Sequence, residues 1–480
     1  GIRDHCVTGV QTCALPISMQ RELQRCDSEV WATYKEHLTD NQTSANAMKQ
    51  AFIPTLEGGC GLQSAHRSTF GGPLGSKALV LSEIVRRLGR QHDEDRTFIA
   101  DTMKSTNWWA SENDTIAVAR AMCHEALTNE AGEETTKTVE TLRASLNALD
   151  HVGEVPIRGL QHQISKVQAL SIKSQLRGAQ PQGRDGDDGR ARLANIGGKI
   201  FGSWASMRPI GKTKCPDRAF RRFIKDILGL RHERAPHGLE CQGGKHGKKD
   251  PFLLEQDPYL RHAHNCNSTS TAQKVRHDGT TDIIASIANE IGIATATEPD
   301  SKTLQSVGVR AHGHPDALLH IDVGSGSSAL LIDVTHRSPF RASEDFVRQA
   351  SDPNFVFKVA EDRKKEQHRE LIEEGNTVWT IASTTLGRWN KKTTLLLDKL
   401  QKEWTRKHKA ADKQAASRVR KHWEQQLMAN LINGNEFVRA RCETNAVLAT
   451  GMQIGQWMND ESEFESSLDD HRDSLMPLIE

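Results

Sequence analysis

The sequence contains no run of about 18 consecutive apolar residues, so we expect no membrane-spanning helix and no membrane partner. Apolar residues make up only 36% of the 480 residues, and the mean hydropathy is −0.59. Such a share suffices for several small cores but not for one large dense core. Together with the length, it suggests about three domains.

Disulfide scaffolds and polycationic chains are also excluded. The nine cysteines are scattered rather than arranged in a dense framework, which fits a reducing compartment where grouped cysteines serve a metal. The net charge is only +1. Charge is nevertheless placed unevenly, because residues 391–422 are rich in Lys and Arg and residues 459–473 are acidic. This asymmetry predicts a basic contact surface followed by a solvated tail.

The first 18 residues lack the charged and apolar regions of a signal peptide, and no Met stands at position 1. Residues 7–18 resemble the translated read-through of a common sequencing adapter. We therefore exclude residues 1–18 from the fold as an adapter-derived artefact. We expect the remainder to be a fragment of a longer reading frame.

Hydrophobic periodicity predicts a mostly helical first half, interrupted by a Gly-rich stretch at 57–64. Residues 177–190 hold Gly, Asp and Arg with almost nothing apolar, which is typical of a linker. A helix at Asp217–Leu228 is also predicted. The expected segments are 19–176 (helical), 177–190 (linker), 191–236 (helical), 237–268 (polar, Cys- and His-bearing), 269–390 (mixed), 391–458 (basic, helical) and 459–480 (disordered and acidic).

The mixed segment supplies the β-structure, so the predicted fold class is α+β with a small mixed sheet and C-terminal helices. An amphipathic helix over 272–291 precedes strand candidates at 294–298, 316–323 and 329–335. The Gly-Ser-Gly-Ser stretch at 324–327 predicts a hairpin turn between the last two. A helix over about 343–373 and a fourth strand at 377–384 follow.

Two aspartates lie where neighbouring strands can bring them together. Asp316 opens the second strand and Asp333 lies near the end of the third. Paired carboxylates bind Mg²⁺ or Mn²⁺, which lowers the pKa of a bound water and stabilises charge on a phosphoryl oxygen. Lys364 or Lys365 would orient that water. The structural alternative stays open, because Pro-Asp is a common turn dipeptide and an Asp within an apolar strand can be a capped structural residue.

A cluster of Cys and His residues offers ligands for Zn²⁺ in a segment too polar for a core. The proposed ligands are Cys241, His246, His262 and Cys266. The spacing of His262 and Cys266 matches half of a zinc knuckle, whereas the other half is incomplete and His246 would substitute. The alternative is a flexible loop with incidental histidines, in a chain that has 21 of them.

Basic side chains on the helix around 400–424 are suited to neutralising phosphates. The candidates for nucleic-acid binding are Lys402, Arg406 and Lys409, with Arg276 and His277 at the start of the earlier helix. Trp404 and Trp423 could stack on unpaired bases, but we favour anchoring roles for both. The plain alternative for the whole surface is a solvated helix.

Four motifs together resemble the C-terminal endonuclease of site-specific non-LTR retrotransposons, a member of the PD-(D/E)XK restriction-like superfamily. The motifs are Arg276-His277-Asp278, His314-Pro315-Asp316, Ile332-Asp333-Val334-Thr335 and Glu361-Asp362-Arg363-Lys364. Upstream, residues 58–64 look like the GGLGLRS segment that follows the polymerase core in such frames. Residues 191–204 and 217–230 look like the segment before their zinc knuckle. The resemblance spans about residues 45–430.

This resemblance implies a metal-dependent nuclease module of a reverse transcriptase, acting in the nucleus on target DNA with the element RNA as a further partner. It also implies a catalytic Lys displaced onto the helix, which suits Thr335. Gln367-His368 replaces the usual Lys-Tyr pair, and Thr384-Thr385 replaces a Glu before Thr. These departures favour the alternative of a catalytically decayed nucleic-acid-binding module. An unrelated helical interaction protein is the third possibility. The sequence contains no aromatic residue followed by the paired aspartates of a polymerase, so that region would precede residue 19.

Overall fold

The structure is a computed structural model. It describes residues 17–42, 44–65, 74, 113–129, 133–148, 159–232, 239–241, 252–257, 259–309, 314–321, 329–340, 343–408 and 413–450. The chain separates into two compact units, Gly1–Gln180 and Pro181–Glu480. No helix in these described ranges is long and apolar enough to cross a bilayer. Most of residues 1–18, and the acidic tail expected at 459–480, lie outside them.

The first unit is helical where it is described, as periodicity predicts. Its helices are α1 (Ile17–Leu38), α2 (Ala45–Ala51), α3 (Asn113–Asn129), α4 (Glu133–Ala148) and α5 (Leu160–Gly178). Buried aliphatic side chains of α3, α4 and α5, such as Ile116, Leu142 and Ile164, form one core. Helix α2 ends before a 3-10 turn, Thr55–Glu57, so the helix stops ahead of the Gly-rich stretch.

The second unit is mixed α+β. Its helices are α6 (Arg184–Ala194), α7 (Asp217–Leu228), α8 (Ser270–Glu290), α9 (Ser301–Ser306), α10 (Glu344–Gln349), α11 (Phe355–Gln367), α12 (Arg369–Glu373), α13 (Lys391–Lys407) and α14 (Lys413–Thr450). Its strands are β1 (Glu240–Cys241), β2 (Phe252–Leu253), β3 (Thr295–Thr297), β4 (Ala317–Leu319), β5 (Leu330–Arg337) and β6 (Thr377–Thr384).

The boundary between the two units falls inside the linker expected at 177–190, but the second part of that segment forms helix α6. Asp185 and Asp187 lie in the first turn, where carboxylates interact favourably with the positive end of the helix dipole. Asp187 also forms an ion pair with Arg190, at 2.6 Å. The last turn buries Leu193 and Ala194. Polar composition suggested a linker because these anchoring apolar residues come only at the end of the helix.

The four longer strands form one sheet in the order β3-β4-β5-β6. The pairs β3–β4 and β4–β5 are antiparallel, whereas β5 and β6 are parallel and joined through helices α10, α11 and α12. Strand β6 has the predicted bounds, and β4 is shorter than predicted. The hairpin turn expected at 324–327 lies outside the described residues.

The single helix expected over 343–373 is instead three helices. Ser343 caps α10, with its hydroxyl accepting from the backbone N–H of Phe346 at 3.4 Å. Pro353 then interrupts the helical path, because proline lacks an N–H and disfavours helical backbone at the residue before it. A second break falls at His368, between α11 and α12. The His368 side chain at this break is buried.

Helices α8 and α14 pack closely against each other at two glycines. A Cβ on Gly279 would lie 2.4 Å from the Asn430 side chain, and one on Gly434 would lie 2.5 Å from Cγ of Arg276. The close approach lets Asn430 donate to the carbonyl of Arg276 at 3.1 Å. Helix α14 therefore fixes the position of α8, the helix that lies beside the sheet.

Candidate functional site

Asp316 and Asp333 are brought side by side by the register of β4 and β5. Ala317 pairs with Ile332, and the N–H of Asp316 donates to the carbonyl of Ile332 at 2.9 Å, which places Asp316 opposite Asp333. The Oδ2 atom of Asp316 accepts from the N–H of Val334 at 2.5 Å. One ligand atom each from His277, Asp316 and Asp333 lies within 4.8 Å of the others. The structure thus brings the two predicted carboxylates close together, beside His277.

Asp333 is buried beside Lys364 and His368. The Nζ of Lys364 lies 2.6 Å from Oδ1 of Asp333, and the imidazole of His368 contacts Oδ2. The Asp333 side chain is 1% exposed. Burial alone would raise its pKa, but the hydrogen bond to His368 and the charge of Lys364 outweigh burial and lower the pKa. Asp333 is therefore an anion at neutral pH.

Asp316 has a cationic partner of its own, His277 on helix α8. The Nε2 of His277 lies 3.0 Å from Oδ2 of Asp316, and Nδ1 lies 3.0 Å from Asp278. Burial disfavours the imidazolium, but hydrogen bonds and charge from Asp316 and Asp278 outweigh it and raise the pKa of His277 to about 9. His277 consequently carries a proton at neutral pH and neutralises Asp316.

The structure distinguishes the two lysines that the sequence left open. Lys364 reaches Asp333, whereas Lys365 is 60% exposed and lies 3.7 Å from Asp362 on the same helix. Phe357 and Ala360 of α11 pack against the sheet. Lys364 follows these two residues by seven and four positions, so it shares their inward face. That spacing was available in the sequence and favours Lys364.

Sequence reasoning missed His368 as a site residue and noted it only as a departure from the Lys-Tyr pattern. It lies four residues after Lys364, on the same face, and its side chain is 1% exposed. The preceding Gln367 accepts from Nζ of Lys364 at 3.2 Å. The other departure, Thr384, is buried and donates to the carbonyl of Asn195 at 3.0 Å. Thr384 therefore has a packing role away from the carboxylates.

A second cluster of metal-type ligands unites three of the four predicted zinc ligands. One ligand atom each from Cys241, His262 and Cys266 lies within 4.8 Å of the others. The Sγ atoms of Cys241 and Cys266 are 3.2 Å apart, and Nε2 of His262 lies 2.9 Å from Sγ of Cys241. Two thiols and an imidazole on short 3-10 turns and a two-stranded ribbon fit Zn²⁺ chemically. The fourth predicted ligand, His246, lies outside the described residues.

The residues expected to bind nucleic acid are divided between surface and interior. The prediction that Arg276 binds nucleic acid is wrong, because this side chain is 2% exposed and donates to Oδ1 of Asn435 at 2.6 Å. Its burial between α8 and α14 prevents contact with a phosphate unless the two helices separate locally, so Arg276 is a packing residue. Lys402 and Arg406 are exposed on α13, with Arg406 donating to Glu403 at 2.8 Å. Lys409 lies outside the described residues.

The two tryptophans near this basic helix differ. Trp423 is 1% exposed, so it is a core residue, as the anchoring interpretation expects. The Trp404 ring stacks on His408, with centroids 4.5 Å apart. Trp404 therefore already has a stacking partner within the chain.

Comparison with known proteins assigns no role to these residues. No family model matches the chain, and no curated protein matches it either. Within the described residues there is a mixed α+β unit with two groups of metal-type ligands, one of carboxylates and imidazole and one of thiols and imidazole.

Proposed function

We propose that residues 269–390 form a metal-dependent DNA endonuclease domain of the PD-(D/E)XK, restriction-like type. In this proposal the chain is the C-terminal part of a retroelement reverse transcriptase. It nicks target DNA in the nucleus to prime reverse transcription of the element RNA. One observation carries the proposal: Asp316, immediately before β4, lies opposite Asp333 on β5, and Nζ of Lys364 lies 2.6 Å from Asp333. The order of elements, α8, β3, α9, β4, β5, three helices and then the parallel strand β6, supports it.

The donor set suits a hard cation, since carboxylate oxygens are the ligands that Mg²⁺ prefers. Asp316 and Asp333 would hold the ion, which supplies an activated water and neutralises charge on a phosphoryl oxygen. Lys364 keeps its ammonium at the same carboxylate, where it can donate to a water or to a phosphoryl oxygen. His368 fixes the orientation of Asp333 from the buried side. His277 pairs with Asp316 at 3.0 Å and would compete with the ion for this carboxylate.

A second candidate is a nucleic-acid-binding module without catalysis. The observation that favours it is the charge balance: His277 pairs with Asp316, and both Lys364 and His368 contact Asp333. The charges of His277 and Lys364 thus already offset those of the carboxylates that would attract a metal. In this case the exposed basic residues of α13, with the zinc segment, would hold target DNA or element RNA.

Nicking of supercoiled plasmid by the full chain distinguishes the two. We expect open-circle product with Mg²⁺ or Mn²⁺ and none with EDTA. Asp333→Asn should reduce the rate by at least about 100-fold, because it removes a charged ligand. Asp362→Asn is the matched control: its carboxylate is 57% exposed on α11, and its rate should stay within about twofold of the parent.

Each result has a definite meaning. A parent chain that binds DNA but yields no metal-dependent nicks contradicts the enzyme and supports the binding module. Equal nicking by Asp333→Asn also refutes the proposed centre, because a contaminating nuclease would then account for the activity. A chain that neither nicks nor binds DNA excludes both functions.

A further inference from the structure

A third thiol lies at the zinc-type cluster. Cys442, on helix α14, is 1% exposed and belongs to the same buried cluster as Cys241 and Cys266. Its side chain is hydrogen-bonded with Cys241. We infer that Cys442 is the fourth ligand of a Zn²⁺ site with Cys241, His262 and Cys266, in place of the His246 that the sequence suggested.

The chemistry of the cluster favours a metal over ordinary packing. Cys241, Cys266 and Cys442 are reduced, and an imidazole nitrogen lies 2.9 Å from one of the sulfurs. Three cysteines and one histidine form one of the standard ligand sets of structural zinc. Zn–S bonds of about 2.3 Å in a tetrahedron separate sulfurs by roughly 3.8 Å, so the 3.2 Å between Cys241 and Cys266 needs only a small opening.

The backbone around Cys442 is positioned by contacts that need no metal. Asn445, one turn further along α14, donates to the carbonyl of Ser268 at 2.9 Å. Val438 and Ala446 of the same helix pack with Leu239 in one apolar cluster. Helix α14 therefore presents Cys442 to the ribbon and turns as a fixed surface. Its sulfur is not among the three ligand atoms that lie within 4.8 Å of one another, so Zn²⁺ binding would draw the Cys442 side chain towards that group.

The ligand set would connect two distant parts of the sequence. Residues 239–269 would be bound to α14, the helix whose Asn430 and Asn435 hold α8. Helix α8 carries His277 of the carboxylate centre. Zinc would then stabilise the helix that supports this centre, although the inference itself does not depend on nuclease activity.

Cobalt substitution in the full chain tests the ligand set without reference to catalysis. Tetrahedral Co²⁺ gives a thiolate-to-metal charge-transfer band whose intensity grows with the number of thiolates. We expect one Zn²⁺ per chain as isolated, and a Co²⁺ spectrum that corresponds to three thiolates. Cys442→Ser should remove about a third of the charge-transfer intensity and weaken Zn²⁺ binding by at least about tenfold.

Two controls accompany this variant. Cys215→Ser, which changes a cysteine outside the cluster, and His246→Ala should both leave the spectrum and the stoichiometry unchanged. If Cys442→Ser fails to fold, the parent spectrum still decides, because two thiolates rather than three would refute the inference. A spectrum altered by His246→Ala but not by Cys442→Ser overturns it. So does a parent chain without zinc, or a disulfide between Cys241 and Cys266 in protein prepared under reducing conditions.

Discussion

The adjacent lysines of α11 allow a sharp test of the carboxylate centre. Lys364→Met and Lys365→Met remove the same charge and nearly the same volume, one residue apart on the same helix. Only Lys364 reaches Asp333, at 2.6 Å, whereas Lys365 lies in solvent beside Asp362. If the proposed centre is correct, the two substitutions have very different consequences.

The expected size of the effect follows from burial. Breaking a buried ion pair typically costs about 3–5 kcal/mol, because the remaining charge is left in a medium that solvates it poorly. Lys364 is itself 15% exposed, and His368 still contacts Asp333 after the substitution. We therefore expect Lys364→Met to lower the free energy of unfolding by about 2–3 kcal/mol in EDTA. Lys365→Met should change it by less than about 0.5 kcal/mol.

The Lys364→Met and Lys365→Met variants should also differ in their rates of DNA nicking. Loss of one pre-placed donor at a developing negative charge typically reduces the rate by about 10²–10³-fold. Single-turnover nicking of supercoiled plasmid in Mg²⁺ measures this for Lys364→Met, and urea unfolding in EDTA measures the stability of both variants. Equal rates for the two variants would refute the assignment of Lys364. A Lys365→Met variant that loses as much stability as Lys364→Met would refute the helix orientation.

Three further predictions concern packing, pH and the basic helix. Gly434→Ala should destabilise the chain by about 1–3 kcal/mol in urea unfolding, because the new methyl would overlap Arg276. Burial and the nearby charges of Arg276 and His277 lower the pKa of His336 well below 6.5. His336 therefore stays neutral in the folded chain, whereas the unfolded chain protonates it below about pH 6.5. The free energy of unfolding should consequently fall as the pH drops below about 6.5, by up to about 1.4 kcal/mol per pH unit. Lys402→Glu should weaken DNA binding and reduce the salt slope of log affinity by about 1.

Each of these has its own control. An unchanged urea midpoint for Gly434→Ala would show that α8 and α14 separate at no cost. His336→Gln should make stability less dependent on pH between 6.5 and 5, and an identical pH profile would count against the burial argument. Lys302→Glu, on exposed α9, should leave DNA affinity within about twofold. An equal loss of DNA affinity in Lys402→Glu and Lys302→Glu would indicate a general effect of net charge, and not a contact between α13 and DNA.

The sequence by itself determined the elements whose signals are local. Helix α7 and strand β6 have their predicted bounds, Asp217–Leu228 and Thr377–Thr384, because side-chain periodicity depends on neighbouring residues alone. Asp316 and Asp333 were paired correctly for a similar reason. Asp316 immediately precedes β4 and Asp333 lies on β5, and the antiparallel register of these consecutive strands brings the two residues together. The break at Pro353 was equally local but was overlooked.

Only the tertiary structure decided which side chains meet across long stretches of chain. Arg276 looked like a surface cation at a helix start, and burial against α14 makes it a packing residue instead. His368 looked like a departure from a motif, and the packing of α11 against the sheet places it on Asp333. Cys442 lies about 180 residues beyond Cys266, and no local pattern connects the two. Their contact depends on how helices pack to bury apolar surface, which is a property of the whole unit rather than of any one segment.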